Sequence, residues 1–200
     1  ARATSLARPL APLLLGHREK QGKEDPKRRG ERMGIAATPR PDGPLVWVHA
    51  ASVGETNAVL PLIHRLLAQR PDVNLLLTTV TVTSAGLAER RLPPRAIHQY
   101  VPLDAPEYAR RFLAHWRPSL AVFTESEIWP NLVIETAATG VPLVLVNARM
   151  SSRSFKRWRR TPGVAVPLFS RFDLVLAQNE RLARRFGDLG ARRVRAVGNL

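Results

Sequence analysis

From Leu45 onward the chain alternates short apolar runs with amphipathic stretches. The runs are Leu45–Ala50, Asn74–Val80, Ile97–Val101, Leu120–Thr124, Leu143–Val146, Leu174–Ala177 and Val194–Val197. Each is rich in Val, Leu or Ile and continuous rather than strictly alternating, the pattern of a parallel strand buried on both faces. Between them lie helix candidates. Ala58, Val59, Leu62, Ile63, Leu66 and Leu67 form one helical stripe, with Pro61 inside it predicting a kink or a start close to Asn57. Ser84–Arg91, Pro106–His115, Pro130–Thr139 and Glu180–Leu189 follow, and Gly140 before Val141-Pro142 is a helix stop. Strand and helix in regular alternation predict an α/β fold, a Rossmann-like doubly wound parallel sheet.

The first third reads differently. Residues 17–34 are polar, charged and punctuated by Gly and Pro, an arm or loop with short helical pieces rather than core. Leu6–Leu15 is apolar but contains Pro9 and Pro12, and it falls short of the roughly 18–20 residues that cross a bilayer. It also lacks the small-residue cleavage pattern of a signal peptide. It is either a plain surface segment or one that lies on a membrane, with Arg2, Arg8, His17, Arg18 and Lys20 near lipid phosphates. The expected division is therefore a basic, amphipathic arm over residues 1–34 and one Rossmann-like domain over 35–200. Ala1 in place of Met, and an end at Leu200 directly after an apolar run, lead us to expect a longer protein on both sides.

Composition narrows the function. Thirty-one Lys and Arg against sixteen Asp and Glu give a formal charge of +15. Nucleic acid, an anionic lipid surface or a phosphorylated substrate would each suit that excess. Lys occupies only positions 20, 23, 27 and 156, so the excess is almost all Arg, as a GC-rich genome also produces. The absence of Cys excludes a disulfide framework, a zinc ribbon, an iron–sulfur site and a thiol nucleophile.

Ligands of such sheets bind beyond the carboxyl ends of the strands, so the chemistry is sought at those junctions. At His49–Thr56 a strand ends, Gly54 allows close backbone approach, and a helix N-terminus offers free N–H groups to an anion. Glu55 stands there as a proton acceptor, or as a first-turn residue that complements the helix dipole. The segment is not G-x-G-x-x-G, so the dinucleotide fingerprint fails. At Thr124–Asn131, Glu125 is expected at the strand end, pointing into the same crevice as Glu55. Ser126 as N-cap, with Glu127 near the first turn, would explain the other two polar residues.

At Asn147–Ser154 and just beyond, Arg149, Arg153, Lys156, Arg157, Arg159 and Arg160 occur without an acid. They suit a phosphate or carboxylate, or nucleic acid with Trp158 stacking, or simply form a solvated basic helix. A non-enzymatic nucleic-acid module is disfavoured because Glu55 and Glu125 would repel phosphates. His17, His49, His64, His98 and His115 form no metal-ligand spacing, and neither H-E-x-x-H nor G-x-S-x-G occurs.

In order, GKE…ERMG, HAASVGE, TESEIWPN, NARMSSRS and VGNL span Gly22 to Leu200, and together they resemble the 3-deoxy-D-manno-octulosonic acid (Kdo) transferases. The resemblance implies the N-terminal, acceptor-side half of a GT-B glycosyltransferase, whose donor-binding C-terminal half lies beyond this chain. It implies inverting transfer of Kdo from CMP-Kdo to a lipid A precursor, lipid IVA, in lipopolysaccharide biosynthesis. The setting would be the cytoplasmic face of the bacterial inner membrane, with the enzyme peripheral or N-terminally anchored. No cofactor, no metal and no nucleic-acid partner are expected. Carried over position by position, Glu55 matches the general base and Glu125 a position that stabilises the transition state. Ser52 and Gly54 flank the base. Arg149, Ser151, Arg153 and Ser154 lie in a motif suited to lipid A phosphates or the donor carboxylate. Another GT-B enzyme using a different nucleotide sugar remains the nearest alternative. The opening arm is expected to dock on the anionic leaflet.

Overall fold

The structure is a computed structural model that describes residues 11–200; residues 1–10 and the side chains of 11–14 lie outside the described residues, and most of the Leu6–Leu15 segment with them. The described chain opens with helix α1 (Ala11–Lys20), a 3-10 turn (Pro26–Arg28) and the single-turn helix α2 (Arg29–Arg32). The sheet then builds through β1 (Leu45–His49), α3 (Val53–Gln69), β2 (Asn74–Thr79), α4 (Val82–Arg91), β3 (Ala96–Tyr100) and α5 (Pro106–Trp116). It continues through β4 (Leu120–Thr124), α6 (Pro130–Ala138), β5 (Leu143–Ala148), α7 (Ser152–Arg159) and α8 (Pro162–Phe169). β6 (Leu174–Ala177), α9 (Glu180–Asp188) and β7 (Val194–Ala196) complete it.

The seven strands lie in the order β3-β2-β1-β4-β5-β6-β7, and every neighbouring pair is parallel. This is the doubly wound sheet expected from the run pattern. The two-residue period of a strand divides the core between the faces. Leu45 and Trp47 pack with Ala121, Phe123, Phe112 and Leu132 on one side. Val46 and Val48 pack with Leu75, Leu77, Val59 and Ile63 on the other. Helices α3 and α4 therefore cover one face and α5, α6, α8 and α9 the opposite one. Chain direction across the sheet reverses between β1 and β4, which opens a crevice above their carboxyl ends.

Two helices differ from expectation. α3 starts at Val53, four residues before Asn57, because Ser52 caps it: its side chain accepts from Glu55 N. Pro61 lies within the helix on its solvent side, where the unpaired carbonyl of the preceding turn meets water. α8 was hidden by Pro162, Gly163 and Pro167; Pro162 occupies the tolerant first turn, while Ala165, Leu168 and Phe169 bury one face. Gly140 does end α6 with a positive φ of 78°.

The polar segment after α1 is anchored. Arg32 is 3% exposed and donates to Glu24, 7% exposed, at 2.7 Å; its guanidinium also reaches the Val80 carbonyl and, at 3.1 Å, that of Val101. Glu31 accepts from Tyr100 N at 2.6 Å and from Arg28 at 2.9 Å. The end of edge strand β3 is thus closed by charged side chains whose charges are paired, instead of standing open to another strand. Gly34 completes the turn: with φ of 76°, a Cβ there would sit 2.2 Å from the Tyr108 carbonyl oxygen.

Candidate active site at the switch point

Glu55 stands at the third position of α3. Its Oε2 accepts from Ala51 N at 2.9 Å and from Thr124 Oγ1 at 2.8 Å, and its Oε1 from Ser52 Oγ at 3.0 Å. Ser52 Oγ accepts in turn from Glu55 N at 3.3 Å. The arrangement is a variant of the capping box: the returning bond comes from Ala51 N, one residue before the Ser52 cap, and Thr124 from the end of β4 ties the carboxylate to the neighbouring strand. The first-turn reading of Glu55 holds: it closes the helix N-terminus beside the carboxyl ends of β1 and β4, at 7% exposure. Three donors leave one of the four carboxylate acceptor positions open. At Gly54 a Cβ would meet nothing nearer than Ser52 Oγ at 3.9 Å, so the protein's own packing does not require a glycine there.

Glu125 follows β4 with φ of 53°, and Asn147 at the corresponding place in β5 has φ of 52°. Left-handed backbone at a side chain other than Gly costs roughly 1 kcal/mol or more and concentrates at functional sites. Arg149 reaches across from the end of β5. Its Nε donates to Glu125 Oε2 at 2.6 Å and its backbone N to the Glu125 carbonyl at 3.2 Å. Two residues expected to meet substrate separately are thus one ion pair, with Arg149 its exposed member at 58% and Glu125 at 12%.

The assignment of Ser126 as a helix cap is corrected. α6 starts at Pro130, and Asp104, from the loop after β3, caps it by accepting from Leu132 N at 2.9 Å and Asn131 N at 3.3 Å. Glu127 is accordingly no first-turn residue. It lies in the crevice loop, where its Oε2 accepts from Trp129 Nε1 at 2.7 Å. Burial pushes the Glu127 carboxyl above its usual range, the Trp129 bond opposes this, and the charges of Glu55 and Glu125 add to it. His49 ends β1 directly beneath, fully buried, its Nε2 3.9 Å from Glu127 Oε2. Burial lowers the imidazole to about 3, so it is neutral.

Ser151 caps α7, accepting from Ser154 N at 3.1 Å. Arg153, Lys156, Arg157 and Arg160 line a shallow recess on its outer side with no ion-pair partner among the described residues. This group adjoins Arg149 in the chain, but no hydrogen bond joins it to Glu55. Trp158 turns inward instead, its ring edge-on to Phe169 at 5.4 Å, and is not a free stacking platform. Sequence reading had overlooked His49, Thr124 and Asp104 and misplaced Glu127; the alternation of T-E-S-E beyond a strand was the one available signal for the last. Among the described residues no group of three or more His, Asp or Glu is set to hold a metal ion. No described helix is long and apolar enough to cross a membrane.

A parallel sheet with the 3-2-1-4 switch and carboxylates in its crevice has the architecture of one half of a GT-B glycosyltransferase. The UDP-GlcNAc 2-epimerase of Neisseria meningitidis shares the fold, with TM-score 0.55 at 11% identity over 78% of this chain and 47% of that one. The family described as 3-Deoxy-D-manno-octulosonic-acid transferase (kdotransferase) matches residues 27–200, and the chain belongs to it. The 3-deoxy-D-manno-octulosonic acid transferase of Rickettsia bellii is 38% identical over 90% of this chain and 43% of its own length. That of Haemophilus influenzae is 31% identical over 92% and 44%. The chain thus spans less than half the length of these curated relatives.

Proposed function

We propose that this chain is the acceptor-side half of an inverting glycosyltransferase that moves Kdo from CMP-Kdo to a lipid A precursor, lipid IVA. Family membership supports the sugar transferred. The observation that carries the chemistry is Glu55: a carboxylate held at the switch point by Ala51, Ser52 and Thr124, with one of its acceptor positions unfilled. Such a group is oriented before substrate arrives, which is what a general base requires.

In the step proposed, an acceptor hydroxyl gives its proton to Glu55 as its oxygen bonds the anomeric carbon. The bond from that carbon to the CMP phosphate oxygen breaks on the opposite face, and CMP leaves with the electron pair. One displacement inverts the anomeric configuration. Glu125, braced by Arg149, sets negative charge near the developing oxocarbenium ion. Ser52 and Gly54 shape the crevice wall beside the base. Arg149, Ser151, Arg153 and Ser154 take lipid A phosphates or the donor carboxylate. The unpaired cations of α7, with the basic residues of the opening segment, favour an anionic leaflet, which supports a reading in which the enzyme works at the cytoplasmic face of the inner membrane. No cofactor enters the step.

The complete enzyme, given CMP-Kdo and lipid IVA, should release CMP and form the Kdo-bearing lipid. Glu55→Gln, which keeps the shape but cannot take the proton, should slow turnover by about 100-fold or more. A folded Glu55→Gln enzyme with a near-normal rate refutes the assignment of the base.

A further inference from the structure

His49 Nε2 is a buried nitrogen with no hydrogen-bond partner. A neutral imidazole carries one donor and one acceptor. Thr78 Oγ1 accepts from Trp47 Nε1 at 2.9 Å and keeps its own proton and a second lone pair, either of which can meet His49 Nδ1 at 3.0 Å. In the tautomer in which the hydroxyl donates to Nδ1, the ring proton sits on Nε2, directed at Glu127 Oε2. At 3.9 Å this is not yet a hydrogen bond, and an inward shift of about 1 Å would make it one. Phe123 and Trp129 stand edge-on to the imidazole, at 5.4 Å and 5.7 Å, and hold its orientation. At Glu127, Trp129 already occupies Oε2, no donor among the described residues reaches Oε1, and the side chain keeps 22% exposure.

We propose that Glu127 is a sugar-binding carboxylate of the crevice and His49 its positioning residue: Trp129 and His49 hold Oε2 while Oε1 accepts from a hydroxyl of the acceptor sugar. The inference rests on the sugar-transfer reading above and adds a residue to it. Seating the sugar moves Glu127 inward and closes the His49 contact, so the buried donor finds its partner only in the loaded site. The charged groups facing Glu127 are Glu55 from α3, Glu125 from its own loop with Arg149 paired to it, and neutral His49 from β1.

The test uses the complete enzyme with CMP-Kdo and lipid IVA, comparing His49→Leu, His49→Gln and Glu127→Gln with wild type over pH 5–8. Glu127→Gln should lower kcat/KM by about 10- to 100-fold, mainly through KM for the acceptor. His49→Leu should raise the pH of the acidic limb by about half to one pH unit, because Glu127 loses a donor to its ionised form. His49→Gln, which retains an N–H near the Nε2 position, should restore the limb. In the Glu127→Gln background His49→Leu should move it no further. A purely structural His49 would change the yield of folded enzyme and leave the limb in place. An active wild type with an unaltered Glu127→Gln variant overturns the inference and leaves the transfer reading standing. A wild type inactive on CMP-Kdo overturns that reading instead. Nitrogen-15 shifts of the wild-type imidazole test the geometry without turnover: a proton on Nε2 is expected, and a proton on Nδ1 overturns the proposal.

Discussion

Lowering the pH from 7 to 5 should destabilise this fold through His49, and the size follows from its burial. A free imidazole titrates near 6.5, whereas the fully buried His49 is lowered to about 3. Between those values the unfolded chain binds a proton that the folded chain refuses. Stability is therefore fully present above about pH 6.5 and falls as the pH drops toward 3. At pH 5 the unfolded state gains RT ln(1 + 10^1.5), about 2 kcal/mol, and at pH 7 only about 0.2 kcal/mol. The difference depends on the unfolded value alone, provided the folded one stays well under 5. His98, also lowered to about 3 by burial and by Arg28, contributes in the same direction. Urea denaturation at pH 7, 6 and 5 should therefore show wild type losing about 2 kcal/mol more than His49→Gln over that range. Equal losses in the two proteins, or an imidazole resonance of His49 titrating near 6.5 in the native state, would refute the argument.

Three further outcomes follow from single contacts. Asp104→Ala removes the cap that accepts from Leu132 N and Asn131 N, and should cost about 1–2 kcal/mol in chemical denaturation while leaving m unchanged. Arg32→Met leaves the buried Glu24 carboxylate with Arg18 as its remaining partner and should cost about 1–3 kcal/mol, with part of it recovered when Glu24→Gln is added; an additive double variant would contradict a coupled buried pair. Replacing Arg153, Lys156, Arg157 and Arg160 together by Gln should weaken binding of the complete enzyme to anionic vesicles, by roughly 1 kcal/mol per cation at low salt. Binding equal to wild type at every salt concentration would remove α7 from the membrane-facing surface.

The sheet was legible because its central strands β1, β2, β4 and β5 are buried on both faces and so contrast sharply with their surroundings; all seven lie within a residue or two of the apolar runs. Where a helix start moved, a local cap outweighed periodicity: Ser52 started α3 early. α6 begins at Pro130 as expected, but its cap is Asp104, distant in sequence, instead of Ser126. α8 was lost to its prolines, although three of its residues are core. In the site, Glu55 and Glu125 stood out because carboxylates are unusual at strand ends. The Glu125–Arg149 pair could not be foreseen, since it joins two strand ends through left-handed turns that no local pattern announces. His49 read as one histidine among five because its neighbours, Thr78 on the next strand and Glu127 in the crevice loop, are distant in sequence.

Transfer of the acceptor's proton to the carboxylate of Glu55 is the step on which the proposed function turns. Its most direct test is single-turnover transfer by the complete enzyme from CMP-Kdo to lipid IVA, wild type beside Glu55→Gln, with folding of both checked by thermal melting. In Glu55→Gln the chemical step should slow by about 100-fold or more with donor binding intact. A Glu55→Gln enzyme that transfers Kdo at the wild-type rate would contradict it.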